Sequence, residues 1–168
     1  MRFPSFNKVF YSLLKANSRV PTLKEYYQSY MKIHADKPVV KQLTDHQRKA
    51  LKARLIRTHP SFLRDIHMAL KLKELTDLKI VFNRMLDLKG VDILIPYNDK
   101  FYCIHNFYDS KRGCDFRLEK NGRHQKIVED HLEINVPYHK NSGLHIGKGD
   151  QFELYAEKHL LKILNIIL

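Results

Sequence analysis

Gly90-Val91-Asp92-Ile93-Leu94-Ile95-Pro96-Tyr97-Asn98-Asp99-Lys100-Phe101-Tyr102-Cys103-Ile104-His105-Asn106-Phe107-Tyr108 reads as a hairpin of two strands. Gly90 to Pro96 is a short apolar run bounded by turn residues, the pattern of a buried strand. Tyr97-Asn98-Asp99-Lys100 makes the turn, with Asn98-Asp99 at its centre, and Phe101 to Tyr108 is the returning strand. Asp92 is out of place in this company. A carboxylate among apolar neighbours costs free energy unless it is paired or bound to a cation.

On either side of the hairpin the pattern changes period. Upstream, Lys79-Ile80-Val81-Phe82 predicts a short strand. Before it, Ser61 caps a helix from Phe62 to about Leu75, with Phe62, Ile66, Ala69 and Leu70 as the apolar stripe. Thr44-Asp45-His46-Gln47 is a capping box that opens another helix, expected to stop at His59-Pro60 because a residue before proline avoids the helical region. A further box, Thr22-Leu23-Lys24-Glu25, opens a helix in the first forty residues, and His34 to Pro38 reads as a turn. Downstream, Asp109 and Ser110 offer a cap for a helix from Lys111 to about Lys120, weakened by Gly113. Leu132 to Val136 alternates as a half-buried strand ended by Pro137. Residues 138–150 form a loop, and Gln151 to Leu168 close the chain as a helix, with room for a short strand at Phe152 to Tyr155. The expected fold class is α/β (α+β). A basic helical region, 1–58, precedes an α/β domain, 59–168, built on a mixed sheet of about four strands flanked by helices.

Charge narrows the choice of partner. The 168 residues carry thirty Lys and Arg against eighteen Asp and Glu, a formal +12. Sixteen basic and five acidic residues fall in 1–76, a net +11 that leaves +1 for the rest. Such asymmetry implies an anionic partner, nucleic acid above all, since solubility alone is served by mixed charge. Arg48, Lys49, Lys52, Arg54 and Arg57 crowd one predicted helix. Arg112, Arg117, Lys120 and Arg123 crowd another, where Arg117, Lys120 and His124 share a face that with Lys111 could hold phosphates. No apolar run reaches the roughly 20 residues of a membrane helix, and the first twenty residues lack a signal-peptide pattern. Cys103 and Cys114 form neither a disulfide framework nor a CxxC pair. A cytoplasmic or nucleoid-associated protein is expected.

From Ser61 the order helix, strand, strand, strand, helix, strand, with Asp92 on the second strand, resembles the core of the PD-(D/E)XK nuclease superfamily over residues 61–136. The resemblance implies a nuclease-like fold, a bound Mg²⁺, and DNA as substrate. Asp92 matches the strand aspartate, and Asp109-Ser110-Lys111 matches the acidic residue and lysine of the motif. On this reading Asp92, Asp109 and Lys111 are catalytic. Asp92 and Asp109 ligate the metal with a carboxylate from the preceding helix, either Asp65 or Glu74. The family's acidic residue lies within its strand, where this chain has His105-Asn106-Phe107, so Asp109 as a plain helix cap stands as the other reading.

Two functions from different classes follow. One is a small metal-dependent nuclease or DNA-processing subunit; the other is a non-catalytic module that binds nucleic acid, another anionic ligand or an acidic protein. Either suits a component of a larger system, such as phage or mobile-element defence. Three further patterns are set aside. Gly143 to Gly149 is one residue short of a phosphate-binding loop, His131, His139 and His145 lack zinc-site spacing, and Ser110 has no nucleophile elbow.

Overall fold

Asn98 and Asp99 both take left-handed backbone, φ 48° and 57°, the geometry that closes a two-residue hairpin with the twist strands prefer. In the computed structural model, which describes residues 3–124, 130–146 and 152–168, this turn joins β1 (Ile93–Tyr97) to β2 (Lys100–Tyr108), antiparallel, with Ile93 opposite Ile104 and Tyr97 opposite Lys100. β3 (His131–Tyr138) pairs parallel to β2 on its other side, after the crossover helix α6 (Lys111–His124). A three-stranded mixed sheet results, in the order β1-β2-β3. The strand expected at 79–82 is reduced to a single antiparallel bridge from Val81 to Leu94 on the outer edge of β1.

Pro137 does not end β3. It pairs opposite Phe107, and the strand runs one residue further. Proline is tolerated there because β3 is an edge of the sheet. On that free side Lys162 Nζ donates to the Asn135 carbonyl, which blunts the strand against further pairing. Within the expected loop β4 (Leu144–Ile146) forms, and it pairs antiparallel with β5 (Phe152–Leu154), which falls on the short strand allowed for at Phe152 to Tyr155. The closing helix α7 starts later than expected, at Glu157, and ends at Ile167. A short helix, α5 (Arg84–Leu88), appears where none is predicted, capped by the Asn83 side chain accepting from Met85 and Leu86 N–H.

The chain divides into two compact units, residues 1–63 and 64–168. In the second, alternation along the strands sends Ile93, Ile95, Ile104, Ile134 and Val136 to one face, where they bury against Met68, Leu72, Leu160 and Ile163. Asn106 shares that face with Ile104, two residues away. The other face carries Cys103 in a small cluster with Leu86 and Val91.

The first unit is helical: α1 (Phe6–Asn17), α2 (Leu23–His34), α3 (Pro38–Lys41) and the start of α4 (Asp45–Leu75). Both predicted capping boxes form, at Thr22–Glu25 and Thr44–Gln47. The break predicted at His59-Pro60 does not occur; α4 passes through Pro60. An interior proline costs about 3 kcal/mol in an isolated helix, and packing on either side of it offsets that cost. His59 Nε2 lies 2.8 Å from the Pro21 carbonyl, and the Phe62 ring packs 4.4 Å from that of Phe10.

Among the described residues seven helices and a mixed three-stranded sheet make the protein α+β. No described helix is long and apolar enough to cross a membrane.

Candidate functional site

Asp92 stands just before β1 and is 4% exposed. Its backbone N–H donates to the Ile104 carbonyl at 3.1 Å, and its Oδ2 accepts the backbone N–H of Asn106 at 2.7 Å. Asp65, on α4, is also buried, and its Oδ1 accepts from Asn106 Nδ2 at 2.9 Å. One residue of β2 therefore gathers a carboxylate from the helix and another from the residue that precedes β1. Turned this way, Asn106 leaves its own Oδ1 buried with no hydrogen-bond partner. An orphaned acceptor beside two buried carboxylates is an arrangement of oxygens that suits a hard cation.

Tyr155 completes this corner. It is 2% exposed, and its hydroxyl donates to the Val136 carbonyl at 3.2 Å. Burial pushes its phenol well above the ordinary value, and the negative charges of Asp65 and Asp92 push it further, so it stays a neutral donor. The charge of Arg64 opposes that shift. Arg64 is itself fixed: Nε donates to the Glu153 carbonyl at 2.9 Å, and the guanidinium lies 4.5 Å over the Tyr138 ring. Glu153 accepts from the backbone of Asn141 and Gly143, both at 2.9 Å. The Tyr138 hydroxyl, ahead of these amides, holds the Glu153 carboxyl down to about 2.

The other predicted site residues lie elsewhere. Asp109 follows β2, with its N–H on the Tyr138 carbonyl at 2.8 Å and its carboxylate 2.8 Å from His139 Nδ1. Three residues of extended chain, about 10 Å, separate it from Asn106. The α6 cap belongs to Ser110, whose Oγ accepts from Gly113 N–H at 3.1 Å. Gly113 is required there, since a Cβ would collide with the Tyr108 carbonyl. Lys111 is exposed on the first turn of α6. Glu74 is exposed and pairs with Lys71 at 2.5 Å. It stands nine residues from Asp65, half a turn out of phase on a helix of 3.6 residues per turn.

Arg117 is 6% exposed; it bonds Asn135 Oδ1 and Glu133 Oε2, both at 2.6 Å, tying α6 to β3. Arg112 is exposed on α6, while the side chains of Lys120 and Arg123 lie outside the described residues. Arg48, Lys49, Lys52, Arg54 and Arg57 are all exposed on α4. Two of them rest on rings, Arg54 at 5.2 Å over Phe6 and Lys52 at 5.9 Å over Tyr27.

The sequence alone assigns Asn106 no role. It lies in mid-strand near Asp92, where the family's motif carries an acid. No three His, Cys, Asp or Glu among the described residues stand close enough to share an ion; the set here is two carboxylates and an amide. The chain matches no protein-family model, no curated protein and no solved structure.

Proposed function

We propose that this protein is a nucleic-acid-binding, metal-dependent nuclease related to the PD-(D/E)XK superfamily, with Asp65, Asp92 and Asn106 as the metal-holding group. The observation that carries the reading is the meeting of Asp65 and Asp92 on Asn106. The order helix, edge bridge, antiparallel hairpin, crossover helix and parallel strand supports it, with the short α5 inserted between bridge and hairpin. Asp65 is favoured over Glu74 as the helix carboxylate, and Asn106, rather than Asp109, takes the place of the motif's acidic residue.

The residues fit Mg²⁺, which takes oxygen ligands and keeps several waters. Asp65 and Asp92 supply the charge, and rotation of the Asn106 amide would present Oδ1 in place of Nδ2. When bound, such an ion polarises a phosphoryl oxygen and lowers the pKa of a water. Tyr155 keeps its proton, and Arg64, held by the Glu153 carbonyl and the Tyr138 ring, is a fixed positive charge in the same unit, suited to a phosphodiester. Lys111 is proposed as an outlying cation on the DNA path. The positive excess of residues 1–63, thirteen Lys and Arg against three Asp and Glu, supports a polyanionic substrate.

The test is cleavage of plasmid and of single- and double-stranded oligonucleotides with and without Mg²⁺ or Mn²⁺. Metal-dependent cleavage lost in Asp92→Asn, with binding retained, is the expected result. Binding without cleavage by the parent protein would leave a non-catalytic module on the same core, a reading favoured by the amide standing where the family carries an acid.

A further inference from the structure

Within residues 1–63, helices α2 and α4 enclose a cleft of about 390 Å³ lined by Leu23, Lys24, Tyr27, Lys52, Leu55 and Ile56. That falls within the range of about 300–1,000 Å³ typical of pockets for small organic groups. Its floor is apolar: Leu55 is fully buried, while Ile56 at the rim is 42% exposed. One wall is the half-buried ring of Tyr27, and Lys24 and Lys52 are exposed beside it. The Lys52 ammonium rests over that ring, 5.9 Å from its centre. Arg48 and Lys49 stand within one turn of Lys52 and are exposed as well.

We infer that this cleft receives an unpaired nucleobase, stacked on Tyr27, with the flanking phosphates on Lys24 and Lys52. The inference rests on the nucleic-acid reading above and adds the strand form that the helical unit recognises. A base supplies a flat face for the ring and an apolar edge for Leu23, Leu55 and Ile56. Entry of a base displaces Lys52 from the ring, and a phosphate then receives its ammonium. Stacking on an aromatic side chain is indifferent to sequence, so the site discriminates single-stranded or distorted nucleic acid from intact duplex. An acidic amphipathic helix of a protein partner would also lay an apolar side chain on the ring, but the run of exposed Arg48, Lys49 and Lys52 beside the cleft suits the regularly spaced charges of a phosphate backbone better.

The experiment uses the full chain with an oligonucleotide carrying one 2-aminopurine, either unpaired or within a duplex, read by fluorescence and by anisotropy. Quenching of the unpaired probe is expected, with affinity for single strands falling about tenfold in Tyr27→Leu, retained in Tyr27→Phe, and duplex affinity changed less than twofold. Lys52→Gln, at an exposed position, should weaken the same binding without altering the melting temperature. Single-strand affinity and quenching unchanged in both Tyr27→Leu and Lys52→Gln would overturn the inference. So would competition for the cleft by an acidic helical peptide but not by the oligonucleotide. Should Tyr27→Leu fail to fold, Lys52→Gln and Ile56→Glu decide the matter. Absence of binding to any nucleic acid at low salt would instead remove the broader reading on which the inference rests.

Discussion

Asp92→Asn exchanges one oxygen for an NH₂ and removes one of two buried negative charges that share Asn106. Without metal the change is close to neutral. The bond from Asn106 N–H survives on an amide oxygen, weakened from about 1.5–3 kcal/mol for a charged acceptor to about 0.5–1.5 for a neutral one. Relief of repulsion between Asp92 and Asp65 acts in the opposite direction. With metal, the parent gains RT ln(1 + [L]/Kd), about 2.7 kcal/mol at a hundred times Kd. For a chain of this size that is a rise of roughly 5–10 °C in melting temperature. The variant should melt within about 2 °C of the metal-free parent, and Mg²⁺ or Mn²⁺ should leave it there. Thermal melts of both proteins across a metal titration measure this directly. A variant that gains as much from the ion as the parent does would refute the assignment of Asp92. A variant that melts far lower without metal would show Asp92 to be a structural carboxylate.

Other outcomes follow from neighbouring geometry. Asn106→Asp places three carboxylates together, so the metal-free protein should melt lower and gain more from Mn²⁺ than the parent. Arg117→Ala removes the guanidinium that bonds Glu133 and Asn135 and should cost somewhat less than about 3 kcal/mol in urea denaturation, because Glu133 is partly exposed and also faces His131; lysine there should restore little of it. Burial lowers the His34, His67 and His159 pKa values from 6.5. The unfolded chain therefore takes up protons first, and stability should fall as pH drops below about 6.5. His34→Phe should flatten that dependence. Glu153, held at about 2, contributes stability above pH 4.5 that is lost as pH falls towards 2, a loss that Glu153→Gln should not show. Changing Arg48, Lys49, Lys52, Arg54 and Arg57 together to Gln should lower the salt slope of DNA binding by up to about 4, read as log affinity against log salt.

The hairpin was legible because its signals agree. Apolar runs flank Asn98-Asp99, a pair that tolerates the left-handed backbone a two-residue turn requires. The capping boxes at Thr22 and Thr44 were legible for the same reason, since side-chain and backbone partners lie three residues apart. The two prolines misled because their cost is local and its compensation is not. Pro60 stays helical through ring packing and a contact from His59 to Pro21, and Pro137 sits on an edge strand that only the pairing order reveals. At the site, Asp92 stood out as a charge in an apolar run, while the sequence left Asp65 and Glu74 as equal candidates, and only the bond from Asn106 to Asp65 tells them apart. Asn106 did not stand out, because a search for acids passes over an amide, and its link to Asp65 spans 41 residues of sequence.

The most direct measurement of the central claim is calorimetric titration of Mn²⁺ into the parent protein and its single variants. The account predicts one ion per chain, bound at least tenfold more weakly by Asp65→Asn and by Asp92→Asn, and bound equally well by Glu74→Gln and Asp109→Asn. No binding to the parent, or binding that survives both Asp65→Asn and Asp92→Asn, would contradict it.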